Sequence, residues 1–160
     1  MTTQTAYATN FKKLTDLEGY IGKELGISKW IDITQEKINT FATLTEDEQW
    51  IHIDREQSKL YSPYKDTVAH GFMVLSFASR FTYDTYSFGD VVMGVNYGLN
   101  KVRFPNATLV NSRLRGRVSL LEYKKIPKGA RFVLKVAFEL EGQEKPACVA
   151  EFIGQAYTNE

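Results

Sequence analysis

The chain has 160 residues and a formal net charge of +1, and 43 % of its residues are hydrophobic. That length suits one domain burying about 68–70 % of the surface exposed by its unfolded chain, and that composition excludes a disordered chain. The near-neutral charge supplies no basic field for nucleic acid, and no apolar run approaches the ~18 residues that span a bilayer. Cys148, the single cysteine, fits a reducing compartment. Met1 to Asn10 is small and polar, with no charged-then-apolar leader. The expectation is a soluble cytoplasmic protein with neither a nucleic-acid nor a membrane partner.

Leu14, Leu17, Ile21 and Leu25 recur at helical spacing, which predicts an N-terminal helix weakened by Gly19 and Gly22. Lys29–Ile33 reads as a short strand. A helix follows, with Thr34 as its N-cap, Ile33 and Ile38 placed as a hydrophobic staple, and Phe41 and Ala42 continuing the apolar face. It should fail near Thr45. Asp54 with Gln57 forms a capping-box-like pattern for a second short helix ending near Ser62-Pro63. Ala69–Phe81 is apolar on nearly every side, through Phe72, Met73, Val74, Leu75, Phe77, Ala78 and Phe81. Such a helix is normally buried.

The second half supplies strands: Val91–Phe104, Ser112–Tyr123, Ala130–Glu141 and Ala147–Tyr157. The third alternates most clearly, Phe132, Leu134, Val136, Phe138 and Leu140 against Val133, Lys135, Ala137, Glu139 and Glu141. Turn residues at Ile126–Gly129 and Glu141–Pro146 predict consecutive antiparallel pairing. A chain this small buries a whole helix only by wrapping a sheet around it. The expected architecture is therefore α+β: a single hot-dog domain over residues 1–160, its curved antiparallel sheet wrapped around a buried central helix.

"FATLTEDEQWIHID" followed by "TVAHGFMVLSF" resembles the MaoC-like dehydratases, the hot-dog (R)-specific enoyl-CoA hydratases. "GKELGISKW", "QWIHID" and "GLNKVRFP" resemble the nodulation-protein-N-like branch. The family motif Gly-Asp-x-Asn-Pro-x-His is matched by Glu46-Asp47-Glu48-Gln49-Trp50-Ile51-His52. The resemblance implies that Asp47 and His52 are the catalytic acid–base pair and that Gly71 supplies an oxyanion N–H. It implies substrate contacts from Gln49, Ser79, Lys101 and Arg103, and a homodimer with the acyl tunnel near its interface. The implied substrate is an acyl-CoA or acyl-carrier-protein thioester. Coenzyme A enters only as part of that substrate, with no other cofactor. Glu46 departs from the family glycine. If that position needs φ > 0, Glu46 is strained, and its charge, with that of Glu48, disfavours an ionised Asp47.

The chemistry explains the residue types. Addition of water to an enoyl thioester needs a base at the water, an acid at Cα, and donors for the thioester oxygen. Asp47 and His52 are five residues apart and share no helix face, so they converge only if the helix stops between them. The first turn of the Ala69–Phe81 helix offers unpaired N–H groups at Gly71. Bland alternatives stand beside each of these. His70 reads as a structural residue capping that helix or packing at a subunit contact. The Ser79 hydroxyl reads equally as a backbone-bonded helix hydroxyl. Cys148 reads as core packing. Arg113, Arg115 and Arg117 share one strand face, either solvated or presented to coenzyme A phosphates. No metal site is expected, because two histidines and one cysteine far apart are poor ligands. A thioesterase on the same fold and a non-catalytic acyl-thioester-binding protein remain open alternatives.

Overall fold

A computed structural model describes residues 4–159. Strand β1 (Tyr7–Phe11), a 3-10 helix (Leu14–Tyr20), β2 (Glu24–Ile27) and the two-residue β3 (Ile31–Asp32) come first. Helices α1 (Gln35–Thr45), α2 (Trp50–Ile53), α3 (Arg55–Tyr61), α4 (Gly71–Ser76) and α5 (Ala78–Thr85) follow. Strands β4 (Tyr86–Phe88), β5 (Val91–Arg103), β6 (Arg113–Ile126), β7 (Gly129–Leu140) and β8 (Cys148–Thr158) complete the chain.

Local signals set several boundaries. The Thr34 hydroxyl accepts the Lys37 N–H at the start of α1, with Ile33 and Ile38 both buried beside it. The Asp54 carboxylate accepts the Gln57 N–H at 2.8 Å and caps α3. The helix expected through Leu25 is a correction. Leu14 and Leu17 do sit buried on helical turns, but only of a 3-10 helix. Gly22 then adopts φ +79°, and its N–H donates to Leu120 O at 2.8 Å. Pairing with β6 thus overrides helical spacing, and Leu25 enters β2. Strand β1 falls in the stretch read as merely polar. It pairs with β2 and β4, and its largely exposed side chains leave no apolar alternation to read.

The sheet order is β4-β1-β2-β6-β7-β8-β5, with β3 added on β6. All pairs are antiparallel except β1 with β4. The two expected hairpins join β6 to β7 and β7 to β8. Helix α5 packs on β1, β2, β4 and β6 while α4 reaches β8, so the sheet curves around the helix. Phe81 is the pivot: it is fully buried, stacks edge-on with Phe138 at 5.5 Å, and lies so close to Gly116 that a Cβ there would come within 2.5 Å of its ring. This is the hot-dog arrangement, α+β.

The central helix departs from expectation in two ways. It is broken at Phe77, whose N–H bonds Val74 O, while the Ser76 hydroxyl bonds Met73 O and competes with the helical ladder. It is also not buried all round: Phe72 is 75 % and Tyr83 83 % exposed. The sheet covers only one side of the helix. Among the described residues no helix is long and apolar enough to cross a membrane.

Candidate active site

The end of α1 turns the chain toward α2. Glu46 adopts φ 59° and ψ 22°, a left-handed cap, and the N–H groups of Glu46 and Asp47 both reach Ala42 O. The position that holds glycine in the family pattern is therefore a true φ > 0 site, and Glu46 carries a backbone penalty there of about 1–2 kcal/mol. Glu46→Gly is expected to raise the urea midpoint, with hydration of crotonyl-CoA preserved or raised. Glu46→Gln separates the causes: a gain with Gly alone identifies backbone strain, and equal gains identify charge. A large activity loss in Glu46→Gly would mean that the carboxylate itself has a role.

The left-handed turn lets α2 begin at Trp50, and His52 follows on its second half. His52 is 7 % exposed. Its Nδ1–H donates to Val68 O at 2.6 Å, which leaves Nε2 with the lone pair in the neutral ring. The same two segments are tied again by Val68 N–H to Ile51 O at 3.0 Å. Gln35 on α1 locks α2 from behind. Its Nε2 donates to His52 O at 2.7 Å, and its Oε1 accepts the Thr67 hydroxyl. Gln35 and the Val68 carbonyl went unread in the sequence because backbone partners and a lone first-turn glutamine carry no signal.

His70 joins this cluster. Its ring stacks on His52 with centroids 3.7 Å apart and planes at 24°. Its Nε2–H donates to the main-chain oxygen of Asp47 at 2.9 Å, and the Asp47 carboxylate stands 3.9 Å from the same nitrogen. His70 is the N-cap residue of α4 but makes no side-chain capping bond, which corrects the capping role expected for it. Burial pushes the His52 pKa below the usual histidine value; the Val68 carbonyl opposes this, His70 adds to it, and Asp47 opposes it.

Gly71 follows directly as the first residue of α4, where an N–H has no intrahelical acceptor. It lines a cleft of about 550 Å³ together with His52, Tyr64 and Phe104. Ser79 lines a second, mostly apolar cleft of about 420 Å³ with Val95, Phe132 and Phe152. Its hydroxyl accepts from Asn96 Nδ2 at 3.3 Å rather than bonding the helix backbone. Gln49 caps α2 with its carbonyl alone, accepting the His52 N–H, and its side chain lines neither cleft. Lys101 and Arg103 also lie outside both clefts. Lys101 faces Glu151 at 3.8 Å, and Arg103 donates to Val102 O.

Arg113, Arg115 and Arg117 are spent on ion pairs. Arg113 meets Asp32 and Glu141, Arg115 meets Glu139, and Arg117 meets Glu24 and Glu139. Arg113 and Arg115 also lie over the Trp30 ring. An outer face of this kind holds no open fork for phosphates. Cys148 is fully buried, and burial pushes its thiol up to about 12, which suits packing and not nucleophilic chemistry.

The two histidines, expected to lie far apart, stand together, with ring centroids 3.7 Å apart. With Asp47 they bring one ligand atom each within 4.8 Å of one another. A zinc-like ion needs donors roughly 3.4 Å apart with lone pairs aimed at one point. Two near-parallel stacked rings cannot aim in-plane lone pairs at a common ion, and one nitrogen of each is already committed to a carbonyl. The donor set suits proton transfer better than metal binding.

Residues 16–137 match the family described as MaoC like domain. A 3-hydroxyacyl-thioester dehydratase Z of Mycobacterium tuberculosis is 42 % identical over 144 residues, covering 89 % of this chain and 95 % of that protein. Nodulation protein N of Rhizobium leguminosarum bv. viciae is 38 % identical, covering 88 % of each. An R-hydratase of Pseudomonas aeruginosa shares the fold, with a TM-score of 0.67 at 18 % identity over 87 % of this chain and 83 % of that one. The chain therefore belongs to the MaoC-like family of hydratases and dehydratases.

Proposed function

We propose that the protein is an enoyl-thioester hydratase, interconverting a 2-enoyl-CoA or enoyl-acyl-carrier-protein with its 3-hydroxyacyl form, with R stereochemistry. One observation carries this reading: His52, its tautomer set by Val68 O, meets Asp47 and shares a cleft with the N-terminal residue of α4. Nε2 of His52 takes a proton from a water that the Asp47 carboxylate also holds. The oxygen of that water bonds Cβ, and electron density moves through Cα onto the thioester oxygen, which the Gly71 N–H receives. The imidazolium then returns a proton to Cα, so one water adds across the double bond and the enzyme is unchanged. Coenzyme A is part of the substrate, and the chemistry needs no other cofactor. The apolar cleft beside Ser79 takes the acyl chain, and Lys101 and Arg103 meet the thioester's polar carrier only from the outer face of β5.

The open side of the helix supports a homodimer. Strand β5 ends the sheet and exposes Val92, Met93, Val95, Tyr97 and Leu99. A second copy would cover this edge together with Phe72 and Tyr83. The setting is a reducing compartment, where the buried Cys148 thiol stays free.

Crotonyl-CoA tests the reading. Loss of the conjugated-alkene absorbance without thiol release is expected; thiol release would favour a thioesterase, and neither would favour a binding protein. The pH profile adds a sign. Protonation removes the Nε2 lone pair, so kcat/KM falls as pH falls, and the depressed His52 pKa places the midpoint below the ordinary ~6.5. A midpoint above that value would assign the base elsewhere.

A further inference from the structure

His70 is 3 % exposed, yet its Nδ1 has no hydrogen-bond partner. An aromatic or aliphatic side chain would fill the same space without leaving a buried acceptor unpaired. Packing alone therefore does not account for histidine here. The ring lies between Phe41, at a centroid distance of 5.0 Å, and His52. Its Nε2–H is committed to Asp47 O. Asp47 needs that bond: its carboxylate makes no hydrogen bond among the described residues, and its side chain is 56 % exposed. Only the main chain fixes it, held by Ala42 O on one side and by His70 on the other.

We propose that His70 is a positioning residue for the Asp47–His52 pair, its Nε2–H fixing the Asp47 main chain and its ring face fixing the plane of His52. Because His70 immediately precedes Gly71, the same residue sets both against the first N–H of α4. Histidine joins a flat face and an edge donor in one side chain. This inference rests on the hydratase reading for its kinetic consequence, though not for the coupling between the rings.

Two variants divide the functions. His70→Phe keeps the stacking face and loses the donor. His70→Gln keeps a donor at similar reach and loses the face. With folding checked by circular dichroism, His70→Phe is expected to lower kcat for crotonyl-CoA hydration about 10–100-fold with KM within about twofold. His70→Gln is expected to lower kcat less and to move the titration of His52. In that variant His52 is the sole histidine, so labelled imidazole carbon and nitrogen resonances report it alone. Burial lowers the His52 pKa most, the Val68 carbonyl opposes this, His70 lowers it further and Asp47 raises it. Removing the stacked ring should therefore raise its midpoint, and the acidic limb of kcat/KM with it. Unchanged kcat in both folded variants together with an unchanged His52 titration would overturn the proposal. If His70→Phe does not fold, His70→Gln decides alone, by the same two readings. If the wild type hydrates no enoyl thioester, the function reading fails by itself. A shifted His52 titration would then still support the coupling, and an unshifted one would overturn it.

Discussion

Hydration of crotonyl-CoA by His52→Ala and by Asp47→Asn is expected to fall about 10²–10⁴-fold, the usual contribution of positioned acid–base groups. The two variants should differ in stability. Asp47 is largely exposed and its carboxylate makes no hydrogen bond among the described residues, its nearest charged partner being His70 Nε2 at 3.9 Å, so Asp47→Asn, which preserves shape, should melt with the wild type. His52 is buried, and its removal leaves Val68 O without the Nδ1–H it accepts. That loss costs about 1–3 kcal/mol, and stacking against His70 is lost as well. Activities are therefore compared below the melting range of the weaker variant. Near-normal turnover in either folded variant would remove the acid–base mechanism.

Gly71→Val is expected to lower kcat/KM by about 10²–10³-fold, the scale of one lost oxyanion donor. A Cβ at Gly71 would rest 3.4 Å from the Phe104 ring, an ordinary contact at its close limit. The two further methyl groups of valine must press Phe104 aside or project into the cleft that both residues line. The fold should survive, because Gly71 lies exposed at a helix start. Gly71→Ala, which adds only the tolerated Cβ, should retain more activity. Unaltered kinetics for Gly71→Val would place the oxyanion donor elsewhere.

The legible parts of the sequence were those with local causes. Thr34 and Asp54 announced their helices through capping chemistry, and the strict alternation of Phe132 to Leu140 announced β7. Glu46 was legible as an anomaly because a motif glycine implies φ > 0. Elements made by distant partners were not legible. Strand β1 exists because β2 and β4 flank it, and the helical spacing of Leu14–Leu25 was broken by a bond from Gly22 to Leu120 O. In the site, Asp47 and His52 were readable as a motif, but the Val68 carbonyl and the Gln35 lock were not. The stacking of His52 on His70 depends on two segments meeting in space, and nothing in their spacing predicts it. The apolar run of the central helix announced its buried residues Met73, Val74, Ala78 and Phe81, but not which large residue would stay exposed, as Phe72 does.

The most direct test is to incubate the protein with crotonyl-CoA in water enriched in heavy oxygen and to locate the label by mass spectrometry, with Asp47→Asn in parallel. Acid–base hydration predicts one heavy oxygen at Cβ of an intact hydroxyacyl thioester in the wild type, formed about 10²–10⁴-fold more slowly by Asp47→Asn. Heavy oxygen appearing instead in a free carboxylic acid, with coenzyme A released, would contradict it.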